Sequence, residues 1–369
     1  MDGNLTSEWE QYLILRRTPY TTYLFICLVI GIGGNGVVIL TYLVKMRDNL
    51  EQRFFIPHLA VMDLLACASA AILCLLSNFY PLRFPSDSLC RFFWYTSWTS
   101  SAISTLILLL IAIQRYLSVC KPHGPQMSGK WRYIVYGLTV VTCMLLAIPF
   151  VYLTGNIKIS QVYKGENVTA YYCSTGATEG GWREFETVYF ICLFLIGVSN
   201  ILVTMGFYVP IGLTIYRTFN KQHHQKLNNH TGEESVDVDS SVDGRQISEV
   251  FSGDSSKSRK SSLCNSKSLS IVSKKSLKKR TKAKNRFTLM LMLIALIYVL
   301  SNVPTLALIV IWKDDPEFWS VEDDVKLNLI IILRRLFLVN NIVNPFLYGY
   351  FDLKFRCKLV ELFSCKSCR

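Results

Sequence analysis

The side chains of this chain best placed to do chemistry are polar residues stranded in apolar sequence. Asp63 is the only carboxylate in the apolar block 54–79. A charged carboxylate in hydrocarbon is costly unless it meets cations, donors or water. Asn35, Ser104, Asn340, Asn341 and Asn344 are polar residues in three other apolar blocks. A bundle can gather them about Asp63 either as a hydrated sodium site or as a purely structural hydrogen-bonded network. The residues alone leave both readings open. Arg115, in Ile113-Gln114-Arg115-Tyr116, stands at the inner end of its block, where it can snorkel to the interface or pair with polar groups between helices. Tyr216 and Tyr348 fall near the same membrane side and can exchange contacts with it if a neighbouring helix moves, or simply belong to an aromatic belt. No nucleophile-base arrangement and no metal-ligand spacing emerges, so an enzyme is not expected and no cofactor beyond the sodium ion is implied.

The elements that must position these residues are membrane helices. Apolar blocks near 22–45, 54–79, 91–119, 132–154, 185–216, 287–312 and 327–350 each reach the roughly 20 residues needed to cross about 30 Å of hydrocarbon. With no alternating pattern of a barrel, the fold class is an all-α seven-helix membrane bundle. The run Gly31-Ile32-Gly33-Gly34-Asn35-Gly36 resembles a nucleotide loop only by composition. It lies inside an apolar block, which favours close helix packing. Pro304 and Pro345 interrupt the hydrogen-bond ladder of the sixth and seventh blocks and provide hinges or fixed bends.

Charge sets the orientation. The chain carries 39 Lys and Arg against 26 Asp and Glu, and the connection 217–286 holds 16 of the former and 7 of the latter. With Lys45, Arg47, Arg53, Lys121, Lys130 and Arg132 flanking the shorter connections on the same side, that side is cytoplasmic. The cations fit anionic membrane lipids, and no nucleic-acid partner is expected. The chain therefore divides into an extracellular segment 1–21, a bundle 22–350 with a flexible cytoplasmic connection at about 217–285, and a stretch 351–369 on the inside. Its place is the plasma membrane, N-terminus outside. Glycosylation patterns at Asn4 and Asn167 agree with that orientation. Cys90 and Cys173, both on the outer side, are either bridged in the oxidising compartment or two unrelated thiols.

These features together resemble a rhodopsin-like G-protein-coupled receptor, in character nearest to invertebrate neuropeptide receptors. The resemblance covers nearly all of 20–363 apart from the long connection. It rests on Gly34-Asn35, Leu59-Ala60-Val61-Met62-Asp63, Gln114-Arg115-Tyr116 and Asn344-Pro345-Phe346-Leu347-Tyr348 in order. It implies a Cys90–Cys173 disulfide, a sodium-linked core at Asp63 and Ser104, and an activation role for Arg115. Heterotrimeric G protein, arrestin and receptor kinase follow as partners. It also implies an amphipathic helix after Tyr348 carrying Phe351, Phe355, Leu359 and Leu362, with Cys365 and Cys368 as palmitoylation candidates.

Departures qualify the carry-over. Gln114 replaces the acid that usually precedes the family arginine, and Lys284 stands where many relatives place an acid, so no usual inner ion-pair lock is expected. Asn302 takes the place of the common tryptophan switch and Tyr298 that of the usual phenylalanine. Ser97 replaces the carboxylate of amine receptors, and Leu338 the lysine of light receptors. The run 314–324 with Asp314, Asp315, Glu317, Glu322, Asp323 and Asp324 is acidic on a basic chain and suits a cationic ligand. Trp94, Trp98, Trp182 and Trp319 offer apolar contacts at the outer mouth, or interface anchors. The expected ligand is a neuropeptide. A lipid or small-molecule receptor and an ion-coupled transporter are the alternatives, the last weakened by the lack of repeated halves.

Overall fold

The computed structural model describes residues 2–46, 53–176, 182–231, 286–308 and 323–364. Its helices are α1 (Asp2–Arg16), α2 (Thr18–Lys45), α3 (Phe55–Phe79), α4 (Asp87–Cys120), α5 (Gly129–Leu153), α6 (Trp182–Thr231), α7 (Arg286–Leu308), α8 (Asp324–Arg334), α9 (Phe337–Phe351) and α10 (Leu353–Ser364). Among the described residues, six helices are long and apolar enough to cross a membrane, α2 to α7. The pair α8 and α9 passes the same test as a seventh span bent by 63°. Backbone groups cannot stay unpaired in hydrocarbon, so uninterrupted helices are what such sequence must form.

The bundle is centred on α3 and α4. Val38 of α2, Leu59 of α3, Ile103 and Ile107 of α4, Ile294 of α7 and Tyr348 of α9 belong to one buried cluster. The outward residues are equally apolar: Leu138 and Leu145 of α5 and Leu195 and Leu202 of α6 are exposed, as a lipid-facing surface requires. Two of the clustered glycines explain their own presence. A Cβ at Gly31 would collide with the Cys67 side chain, and one at Gly34 would lie 3.1 Å from Pro345, whereas Gly33 and Gly36 face open space. The run is a packing face for α3 and α9.

Three local features go beyond the sequence reading. The 1–21 segment is helical through Arg16, and the first span starts at Thr18 with Pro19 in its first turn, a position that suits proline. The helix runs on through both Pro304 and Pro345, while the sharp bend of the seventh span falls at Arg335 and Leu336, ten residues before Pro345. Between α5 and α6 the outer connection is an antiparallel hairpin, β1 (Thr154–Tyr163) and β2 (Glu166–Thr175). Its two-residue turn, Lys164 at φ 51° and Gly165 at φ 87°, uses positive φ at both central positions, which matches strand twist.

Candidate functional site

The polar core assembles on Asp63. Its carboxylate is fully buried. Ser104 Oγ on α4 donates to Oδ1 at 2.5 Å, and Asn344 Nδ2 on α9 donates to Oδ2 at 2.7 Å. One acid thus ties three helices together with charge-assisted bonds. Asn35 stands beside this network. Its Nδ2 donates to the carbonyls of Gly31 (3.0 Å) and Asn341 (2.8 Å), which fixes its amide with Oδ1 turned away from both. Asn340 Nδ2 reaches Asn341 Oδ1 at 3.5 Å. The side-chain oxygens Asn35 Oδ1, Asn340 Oδ1 and Asn344 Oδ1 are buried and have no hydrogen-bond donor. Asn341 Nδ2 and the Tyr348 hydroxyl are likewise unsatisfied. Buried acceptors without donors are expensive in a dry core, so this set fits a small hard cation with its water.

The inner end is organised differently. Arg115 is buried, and its guanidinium carbon stands 4.5 Å from the centroid of Phe287, the second residue of α7. Arg53, from the start of the chain leading into α3, stands 4.9 Å from the same ring. Arg53 Nη2 also donates to Asp352 Oδ1 at 2.7 Å in a pair that is nearly sealed from solvent. The same Oδ1 accepts from the backbone N–H groups of Lys354 (3.0 Å) and Phe355 (3.2 Å), capping α10. Phe355 is buried against Tyr42 and Tyr348, and Phe351, Leu359 and Leu362 are half-buried on the same stripe. Tyr348 is buried as expected. Tyr216 is not with it: it is 68% exposed, and Tyr208, eight residues earlier on α6, is the buried tyrosine beside Arg115. Tyr298 accepts a hydrogen bond from Asn200 Nδ2 of α6 at 2.9 Å, and Asn302 Nδ2 turns back to the Tyr298 carbonyl at 2.8 Å.

At the outer end Cys90 and Cys173 are bonded, with Cα atoms 5.5 Å apart, so β2 is tethered to the start of α4. Tyr171 N donates to the Leu82 carbonyl and accepts through its own carbonyl from Phe84 N, which ties the hairpin to the α3–α4 connection as well. Trp94 and Trp98 both meet Phe150 of α5, which also touches Tyr189 and Phe190 of α6. Ser97 is half-buried beside them. Trp182 is exposed and joins this group only through Phe185, which stacks on Tyr189. Asp323 caps α8 by accepting from Val325 N and Lys326 N, and Asp324 pairs with Arg16 at 2.5 Å. Asn167 is exposed on β2. Asp314, Asp315, Glu317, Trp319, Glu322, Lys284, Cys365 and Cys368 lie outside the described residues, and nothing is described of the Asn4 side chain.

Reading the sequence missed Phe287, Tyr208, Arg53 with Asp352, and the arginines Arg17 and Arg335 that line an outer cavity. Tyr208 carried a signal: Ala112 of α4 and Tyr208 and Ile211 of α6 share one buried cluster, and residues three and four apart face one way on a helix. Phe287 carried none, since an aromatic at the edge of an apolar block also reads as an interface anchor.

The sequence is 28% identical to the human vasopressin V1b receptor over 174 residues, a match spanning 47% of this chain and only 40% of that receptor. It is 24% identical to the cholecystokinin receptor type A of Canis lupus familiaris over 351 residues, spanning 91% of this chain and 78% of the relative. The fold superposes on squid rhodopsin with a TM-score of 0.62 at 16% identity, covering 98% of this chain and 89% of that one. The family model of the 7 transmembrane receptor (rhodopsin family) matches residues 34–348, from the Gly34-Asn35 pair through Tyr348, and with the seven spans, the Asp63 core and the outer disulfide in place the chain belongs to that family.

Proposed function

We propose that the chain is a cell-surface receptor which binds an extracellular neuropeptide and activates a heterotrimeric G protein. The observation that carries this reading is the closed inner end. Arg115 of α4 and Arg53 both rest on the Phe287 ring, and Arg286 donates to the Tyr350 carbonyl at 2.9 Å, so the first residues of α7 are held to α4, α9 and the chain entering α3. Cation–π contacts of this kind contribute about 0.5–2 kcal/mol, which keeps a closed state favoured yet leaves it within reach of a ligand's differential binding. An outward step of α7 would free Arg115 for a partner inside the cell. The outer disulfide, the Asn200–Tyr298 bond between α6 and α7, and the Asp63 network give a ligand outside three connections into that movement.

The peptide class draws on the relatives, whose names record receptors for vasopressin and cholecystokinin. The expectation of a basic group on the peptide rests on the run 314–324, of which Asp323 and Asp324 are engaged with α8 and Arg16. Sodium would sit beside Asp63, held by that carboxylate, Ser104 and the unsatisfied amide oxygens of Asn35, Asn340 and Asn344. A bound cation there would favour one packing of α2, α3, α4 and α9 over another. Asn4 and Asn167 are the glycan acceptors, Cys365 and Cys368 the palmitoylation sites, and arrestin and receptor kinase the further partners of the inner face.

The test is a peptide-library screen on surface-expressed receptor, with G-protein subunit dissociation as readout and mock-transfected cells as control. A saturable peptide response supports the reading and identifies the subtype. Phe287→Ala should raise ligand-free signalling about 2- to 30-fold, the population change equivalent to losing a contact of that strength. Silence to all peptides, together with mock-level signalling by surface-expressed Phe287→Ala, counts against it.

A further inference from the structure

The outer half of the bundle contains a cavity of about 120 Å3, between α2, α3, α4 and the break that separates α8 from α9. Arg17, Tyr20, Asn78, Trp94, Cys173 and Arg335 are among its walls, so the outer disulfide forms part of it. Both charged residues of the lining are arginines. Ion pairs among the described residues join Arg16 to Asp324, Arg91 to Asp87, Lys164 to Glu8, Arg53 to Asp352 and Lys358 to Glu361, and none reaches Arg17 or Arg335. The neighbour Arg16 pairs with Asp324, and among the described residues no carboxylate forms an ion pair with Arg17.

The unsatisfied atoms of this cavity are donors. Arg17 Nε and Trp94 Nε1 are both buried and have no acceptor. The Arg335 guanidinium stands beside Tyr20 and Cys74, which line the same cavity. Burial pushes the Arg17 guanidinium below its ordinary pKa, the expected direction for a desolvated cation that lacks an anion. A guanidinium is an always-charged fork of donors whose geometry matches carboxylate and sulfate oxygens. The volume holds several waters or one group of side-chain size.

We propose that this cavity is an anion subsite, which receives a carboxylate or sulfate group of the extracellular ligand between Arg17 and Arg335 with the Trp94 indole N–H as a third donor. For the carrier of that group the proposal rests on the receptor reading. For the anion itself it does not. It adds a requirement that the acidic run 314–324 does not suggest: that run calls for a basic group on the ligand and these arginines for an acidic one, and a single peptide can carry both.

The test uses the purified full-length chain in detergent and follows its thermal unfolding at constant ionic strength. The probes are N-acetyl-tyrosine-O-sulfate amide and N-acetyl-aspartate amide, with N-acetyl-tyrosine amide and N-acetyl-asparagine amide as uncharged counterparts. The anionic probes should raise the unfolding midpoint saturably and the uncharged ones should not. Arg17→Gln should weaken the apparent affinity about tenfold or more, with Arg17→Lys in between. Arg335→Gln should do the same, and if it does not reach the membrane, Arg17→Gln and the charged-against-uncharged comparison still decide. Equal stabilisation by both probe types, none by either, or an anion effect unchanged in Arg17→Gln overturns the subsite.

Signalling then separates the sources. Agonists among acidic or sulfated peptides that lose potency in Arg17→Gln place the anion on a peptide, and agonists among free organic acids with the same loss place it on a small molecule. Anion-dependent stabilisation without any G-protein response supports the subsite and speaks against the receptor reading. Signalling by ligands with no acidic group, unchanged in Arg17→Gln, does the reverse.

Discussion

Two buried polar regions of this bundle solve opposite problems. The core around Asp63 holds one carboxylate, and three of its unsatisfied atoms are amide oxygens. The outer cavity holds two guanidiniums, and its unsatisfied atoms are N–H donors. Each polar group left unpaired in a dry interior costs about 1–3 kcal/mol, so neither arrangement is what packing alone would select. The contrast teaches that the two regions leave different atoms unpaired, mainly amide oxygens in the core and N–H donors at the mouth. They also differ in how they are held: the core by short bonds between three spans, the mouth by a disulfide and a hairpin.

The largest effect should come from removing the tether of the outer region. Replacing Cys90 and Cys173 together by Ser releases a closure across a sequence separation of 83 residues, at a cost of at most about 4–5 kcal/mol. Surface expression should fall steeply. The protein that still reaches the membrane should keep the sodium-dependent stabilisation of its core, because distant sites with no shared partners behave independently. Loss of both together would show that mouth and core are one unit and would break the contrast.

The core is tested next. Asp63→Ala removes the acceptor of Ser104 and Asn344 and should cost about 3 kcal/mol, read as a lower thermal midpoint. Asp63→Asn keeps much of the bonding and removes the charge. Replacing choline by sodium at equal ionic strength should raise the midpoint of the natural chain and leave that of Asp63→Asn unchanged. If Asp63→Asn responds to sodium as the natural chain does, the core is a structural network and the contrast with the mouth loses its cation half.

The same two regions were unequally legible in the sequence. A lone acid in an apolar helix must find partners, which made Asp63 readable and made Ser104 and Asn344 reasonable candidates before any coordinates. Tyr216 and Tyr208 show the limit: both are aromatic residues on one helix, and only packing against Arg115 separates the buried one from the exposed one. The mouth was nearly opaque. Arg17 sits at the edge of a span and Arg335 within one, where an arginine ordinarily snorkels to the interface, and their sharing of one cavity depends on the bend at Arg335 and Leu336. The hairpin was missed because its strands are half polar and lie between two apolar blocks, where an outer connection reads as a loop. Only the pair Lys164-Gly165 marked its turn, and that pair is a weak signal beside Asn-Gly.

The smallest expected effect probes how loosely the mouth is closed from above. Helix α1 lies on the hairpin through Trp9, which stacks on Tyr163 at 5.2 Å, and through the pair of Glu8 with Lys164. Both charged side chains are more than half exposed, so solvent screens the pair and salt weakens it. Lys164→Met should therefore leave the global midpoint unchanged and raise proteolytic cleavage within α1 less than about threefold, the scale of a surface ion pair. The hydrogen bond that Lys164 donates to Glu8 raises the Lys164 pKa above its ordinary 10.5. A group whose folded pKa is raised gives its stabilisation in full below the unfolded value and loses it as pH rises through the folded one. The difference in α1 cleavage between the natural chain and Lys164→Met should hold steady from neutral pH to about 10.5 and vanish above the raised value, while the Asp63 core, sealed from solvent, shows no matching change over that range. A core midpoint that shifted in step with α1 would mean that the lid and the core communicate, and the two regions would then have to be treated as a single cooperative element.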